Sequence, residues 1–193
     1  VNSFFVYTSR SWMQKISFKY LNGIIGNMSR KFIFETIIPS VVFSHKTVSS
    51  IFGGVYNILG ENGADALLYN VGYKTGKFYT ERQRDTSRVE KMELLYKCIS
   101  DDFEAKWGKF EYNIDFDTLG GEVKIYNSFL ADSWIENIKK NQSYPVCAFI
   151  SGYIVGILES VFGKKVFVEE KKCKVQGNEF CLFEVKKKLS EVK

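Results

Sequence analysis

The stretch that decides the reading of this chain is Glu170-Lys-Lys-Cys173-Lys-Val-Gln-Gly177-Asn-Glu-Phe-Cys181. Gly177, between Gln176 and Asn178, predicts a tight hairpin loop, because Gly and Asn tolerate the positive φ that such loops require. A hairpin symmetric about Gly177 sets Cys173 and Cys181 opposite each other, with Cβ atoms about 4.5–5.5 Å apart on one sheet face. Two thiols so held can share a metal or form a disulfide. Cys147 lies upstream, after Pro145, in the first turn of an expected helix, where the positive end of the helix dipole favours a thiolate. Val166, Val168 and Glu170 share one strand face, which turns the Glu170 carboxylate towards the core, where it needs a partner. Glu170 and Cys173 have opposite parity along the strand, so joint action requires a bulge or twist between them.

With Cys147 upstream, Glu170-x2-Cys173-x7-Cys181 resembles the pattern of the 4-vinyl-reductase (4VR) small-molecule-binding domain. That domain also forms the sensor part of bacterial activators that respond to phenol and related aromatics. The resemblance runs from about Ile16 to Val185, with the specific motif confined to the C-terminal third. In those sensors three cysteines and a glutamate in this order bind a structural zinc. The resemblance therefore implies one Zn2+ on Cys147, Glu170, Cys173 and Cys181. Other family members lack some of the cysteines, so it also implies that the fold does not need the metal. Sulfur-rich tetrahedral ligation favours zinc, and four protein ligands leave no open position for metal catalysis. Lys171, Lys172 and Lys174 flank the set and are expected to offset its negative charge.

The chain has 193 residues, most simply one domain with a substantial core. The expected organisation is an N-terminal arm over 1–15, a ligand-binding domain over 16–188 and a short tail over 189–193. Hydrophobic content of 45% and only two prolines argue against disorder. The net charge of +5 is scattered, with no helix-turn-helix or RNA-binding motif, so the surface is solvated and no nucleic-acid partner is expected. Four unevenly spaced cysteines without a secretory signal fit a reducing compartment, the cytoplasm, and metal binding better than a disulfide framework. The uncharged run from Asn141 to Leu158 is broken by polar residues, Pro145 and two glycines. A spanning helix needs roughly 20 apolar residues, so this run predicts a buried helix and no membrane partner. Phe4, Phe5, Trp12 and Met13 are too apolar for a free arm. The arm either packs on a partner subunit, giving a homodimer, or continues from sequence not present here.

Along the chain, Ile16–Tyr20 and Lys31–Ile38 read as strands. Pro39-Ser40 opens a helix through Val41, Val48, Phe52, Val55 and Leu59, and Gly60-Glu-Asn-Gly63 reads as a turn. A second helix follows through Ala64, Leu67, Leu68, Val71, Thr75 and Phe78, with Gly72 and Gly76 spaced to let another backbone approach. Ser87-x-x-Glu90 reads as a capping box for a third helix through Met92, Leu95, Tyr96, Ile99 and Phe103. Phe110, Tyr112, Ile114 and Phe116 alternate with polar residues, a half-buried strand. Gly120-Gly121 turns it into a return strand with Val123 and Ile125. Ser128 is placed to cap a short helix through Trp134, and Pro145–Phe162 forms the buried helix, ended by Gly163. Lys164–Glu170 and Phe180–Val185 make the last hairpin. Strands that arrive as hairpins predict an α+β fold, an antiparallel sheet with helices on one face. The resemblance implies the same fold, shared with small subunits of the TRAPP transport complex.

No G-x-G-x-x-G, Walker A or G-x-S-x-G motif is present, so nucleotide binding and hydrolase chemistry lack support. His45, the sole histidine, reads as a surface residue, and Cys98 as a core-flanking thiol. Aromatic residues make up 16% of the chain. Tyr112, Tyr126, Trp134, Phe149 and Tyr153 are candidates to line a ligand pocket, although a filled core explains them equally well. The expected function is binding or sensing of a small aromatic or hydrocarbon molecule, with the output passed to another protein. Two alternatives are a reductase acting on a vinyl tetrapyrrole, which rests on the family name alone, and an assembly scaffold like the TRAPP subunits.

Overall fold

Phe110, Tyr112 and Ile114 are buried while Lys109, Glu111 and Asn113 face outwards, and this period of two produces strand β1, Lys109–Asp115. The chain returns as β2, Gly120–Tyr126, with Phe110 opposite Ile125 and Tyr112 opposite Val123. A second hairpin, β3 (Val166–Lys172) and β4 (Cys181–Lys187), joins the first through β2 and β4, where Ile125 lies opposite Cys181. The sheet is antiparallel with order β1-β2-β4-β3. Its inner face is apolar, and its outer face carries Glu111, Lys124, Glu169 and Glu184.

The computed structural model describes residues 43–115, 117–138 and 142–187. The expected arm over 1–15 and the expected strands Ile16–Tyr20 and Lys31–Ile38 lie outside these residues. The helices are α1 (His45–Ser87), α2 (Lys91–Glu104), α3 (Phe129–Asn137) and α4 (Ala148–Phe162). The two helices expected on either side of Gly60–Gly63 are one element. Only Gly60, at φ 68° and ψ 178°, leaves the helical region and kinks α1, while Gly63 stays helical. The expected capping box fails as well. Ser87 ends α1 and its hydroxyl donates back to the Gln83 carbonyl at 2.6 Å, leaving no N-cap for α2.

Small residues explain why α4 is buried on nearly every side. A Cβ on Gly72 would stand 1.9 Å from the Phe149 carbonyl oxygen, and one on Gly152 would stand 2.0 Å from that of Tyr69. The α1 and α4 backbones therefore touch, as the glycine spacing predicted. α4 also packs against α2 and β3, so the helices cover the apolar face of the sheet. Gly163, in the left-handed region at φ 66°, ends α4 as expected. Ser128 occupies the N-cap of α3, but its buried hydroxyl makes no bond. Among the described residues, no helix is long and apolar enough to cross a membrane.

Candidate functional site

The start of α4 and the β3–β4 hairpin bring the four expected ligands together. Cys147 is the N-cap of α4, one position before the first turn where it was expected. Its backbone N–H donates to Glu170 Oε2 at 3.0 Å. Cys173 opens a short 3-10 turn, Lys174–Gln176, closed by Gly177 at φ 89°. Gln176 Oε1 accepts from the Cys173 N–H at 3.1 Å, and Asn178 Nδ2 donates to the Cys173 carbonyl at 2.9 Å. Cys181 is the first residue of β4, and its Sγ accepts from the Lys174 N–H at 3.4 Å. The parity conflict is resolved by a register shift: Glu170 pairs with Phe183 and Lys172 with Leu182, leaving Lys171 as the extra residue of a bulge.

The three sulfur atoms form a near-equilateral triangle, with Cys147–Cys173 at 3.7 Å and Cys181 at 3.9 Å from each. A tetrahedron with Zn–S bonds near 2.3 Å has edges of about 3.8 Å, so this triangle already has the size of one face. Every ligand atom, a Glu170 carboxylate oxygen included, lies within 4.8 Å of the others. Glu170 Oε1 is buried and makes no hydrogen bond. Three thiols and one orphaned carboxylate oxygen are a donor set suited to a thiophilic cation, and the residues fit zinc. All three cysteines are free, so no disulfide competes.

Hydrogen bonding sets the charge of the metal-free cluster. Cys181 accepts from the other two thiols, Cys147 first, and its pKa falls to about 5. Cys147 donates to Cys173 and Cys181, which with burial raises its pKa well above the thiol value. At Cys173 the bond with Cys147 lowers the pKa, but the bond to Cys181 and burial outweigh it and push the thiol up to about 11. Burial raises Glu170 well above the carboxylate range, and Cys173 adds to it. The flanking lysines do not take the part expected of them. Lys171 pairs with Glu169 at 2.6 Å and Lys174 with Asp132 at 2.5 Å, so backbone N–H groups are the donors to the cluster.

The five candidate pocket residues separate into three places. Phe149 and Tyr153 stack one turn apart on α4, with ring centroids 6.4 Å apart. Trp107 lies 4.9 Å from Tyr153 and 5.9 Å from Phe149. The Tyr153 hydroxyl donates to Asp102 Oδ1 at 2.6 Å. Tyr112 approaches from β1: it is buried, its hydroxyl has no partner, and burial and then the Asp102 carboxylate raise its pKa. Trp134 belongs to a second group beside the cysteines, edge-on to Tyr56 at 5.2 Å, with Tyr144 stacked on Tyr56 at 5.7 Å. Tyr126 points to the outer sheet face and packs on Phe180 at 5.3 Å. Sequence reading missed Trp107 and Asp102. The sole available signal was an aromatic next to Gly108 at a helix-to-strand junction. His45 and Cys98 are as read: His45 pairs with Glu136 at the surface, and Cys98 is buried near Thr80.

Comparison with known proteins agrees with this architecture. The family model of the 4VR domain matches residues 122–187, the segment that holds β2 to β4 and all four candidate ligands. An uncharacterised protein of Methanocaldococcus jannaschii is 27% identical over 133 residues, covering 68% of this chain and 72% of the relative. The phenol-responsive sensory domain of the transcription activator PoxR, solved with phenol, superposes with a TM-score of 0.65 at 18% identity, over 77% of this chain and 76% of that one. A vinyl-4-reductase family protein of M. jannaschii gives 0.56 at 22% identity, over 94% and 100%. A trafficking protein particle complex subunit 3 from Naegleria fowleri, covalently bound to palmitic acid, gives 0.54 at 16% identity, over 75% and 95%. At these identities the likeness is one of fold.

Proposed function

We propose that this chain, whose residues 122–187 match the 4VR domain, is a small-molecule-binding module stabilised by one structural Zn2+. We take residues 16–188 as its single ligand-binding domain and the cytoplasm as its compartment, where thiols stay reduced. Cys147, Cys173, Cys181 and Glu170 would hold the metal. When bound, it would supply a tie between the start of α4 and the last hairpin, with no position left for substrate.

The ligand reading rests on one observation. The Tyr112 hydroxyl is buried without a partner on the side of the sheet where Asp102, Tyr153, Trp107 and Phe149 converge. A buried hydroxyl left unbonded costs about 1–3 kcal/mol, so its retention suits a guest that satisfies it. Rings on the walls and hydroxyl and carboxyl groups at the tips fit a small aromatic molecule carrying one polar group. The shared fold with a sensory domain solved with phenol supports the same class.

The test is thermal melting of the zinc-loaded chain with phenol and with benzene. Phenol should raise the melting temperature more than benzene, because a molecule that binds only the folded state stabilises it. Tyr112→Phe should leave the free protein as stable as before, or more so, and weaken phenol binding about tenfold. An unchanged melting temperature with millimolar phenol, or an undiminished response in Tyr112→Phe, would remove this assignment. Consumption of a vinyl compound with reduced nicotinamide or flavin would make the chain a reductase.

A further inference from the structure

Seven of the ten exposed large hydrophobic side chains among the described residues lie on α1 or beside its start. Beyond the Gly60 kink they fall on one line: Leu67 is 44% exposed, Val71 44% and Phe78 58%. With Lys74 between them, the steps of four, three and four residues keep the line on one helix face. That face is opposite Gly72, Gly76 and Thr80, which are buried on the side towards α4. An uncovered apolar stripe of this kind marks a contact surface.

We propose that the stripe pairs with the same stripe of a second copy of this chain, the two α1 helices running antiparallel about a two-fold axis between Val71 and Lys74. Charge selects both the occupant and the direction. Glu61–Val71 carries two acids, Glu61 and Asp65, and no base; Gly72–Ser87 carries Lys74, Lys77, Arg82 and Arg84 against Glu81 and Asp85. Parallel pairing would set like halves together. Antiparallel pairing lays the acidic half of each copy on the basic half of the other, with Leu67 over Phe78 and Glu61 beside Arg82, each contact made twice. Lys74 then runs its alkyl stem along Val71 while its ammonium stays in water. Size is adequate as well: α1 presents 21 exposed positions, and stable interfaces use about 20–30 residues a side.

The test is sedimentation and light scattering of the full zinc-loaded chain. The intact chain should be a dimer. Leu67→Asp and Phe78→Asp, both at exposed positions, should each weaken it at least tenfold while the circular dichroism spectrum is kept. Arg82→Glu should weaken it, and adding Glu61→Arg should restore it. A dimer indifferent to these changes would use another surface and overturn the proposal. So would a monomer at every concentration; if Phe78→Asp then melts lower, the face is covered by residues 1–42 of the same chain.

Discussion

Glu170 divides its carboxylate between two tasks, and that division makes the candidate metal centre testable at the scale of single residues. Oε2 accepts from the Cys147 N–H, whereas Oε1 is buried with nothing to bond. Glu170→Gln keeps the first contact and removes the charge, so zinc affinity should drop about 10–100-fold, read by chelator competition. An unchanged affinity would give the fourth position to water or another side chain. Cys173→Ser and Cys181→Ser should lose zinc altogether in metal analysis, and Cys98→Ser should retain it. The pH dependence has a definite sign. Cys147 and Cys173 have raised pKa values, Cys173 about 11, and hold their protons at neutral pH, whereas Cys181 at about 5 is ionised. Metal binding must expel those two protons, so affinity should fall by about two powers of ten for each pH unit lowered near neutrality. Competition titrations at pH 6.5 and 7.5 measure the slope; a flat one would count against thiolate ligation. Much of this centre was legible in the sequence, because Cys147, Glu170, Cys173 and Cys181 are close in the chain and a hairpin has few ways to fold. The bulge was legible only as a necessity. Trp107 and Asp102 were not legible, since their meaning arises from what α2 and α4 bring to them.

Between elements, the α1–α4 contact is set by glycines on both sides, and here the same substitution should have opposite effects at different positions. Gly72→Ala and Gly152→Ala drive a methyl group into the facing carbonyl, at 1.9 and 2.0 Å, and the helices must separate. Each should cost about 1–3 kcal/mol or more in denaturant unfolding. Gly54→Ala meets nothing within 4 Å and lies in the same helix, so it should be neutral or stabilise by up to about 1 kcal/mol. Equal effects at Gly54 and Gly72 would show that helix propensity, not packing, governs these sites. The four-residue spacing of Gly72/Gly76 and Gly152/Gly156 made the close approach readable in advance. The single long α1 was not readable, because Gly60-Glu-Asn-Gly63 has turn composition and only tertiary packing keeps Gly63 helical. The Ser87-x-x-Glu90 pattern misled for a related reason: a serine at a helix end bonds backwards as readily as forwards.

For the molecule as a whole, the metal should act as a tie between distant parts of the core. Zinc at a thousand times its dissociation constant stabilises a folded state by about 4 kcal/mol. In a chain of this size, removing it with a chelator should lower the melting temperature by about 10 °C. An unchanged melting curve would deny the ion a structural role. The α+β class was legible because every strand arrived in a hairpin, each with its own turn signal. The order in which those hairpins join was not, since no local pattern says that β2 pairs with β4. That order has a kinetic consequence. Each hairpin can close within microseconds, but the seam between them joins residues about sixty positions apart, and such distant pairings are the slow step of folding. Cys181 faces Ile125 across that seam, at its cysteine end. A refolding chain should therefore gain its strands early and its high zinc affinity late, so that metal uptake serves as a clock for the moment the two hairpins meet.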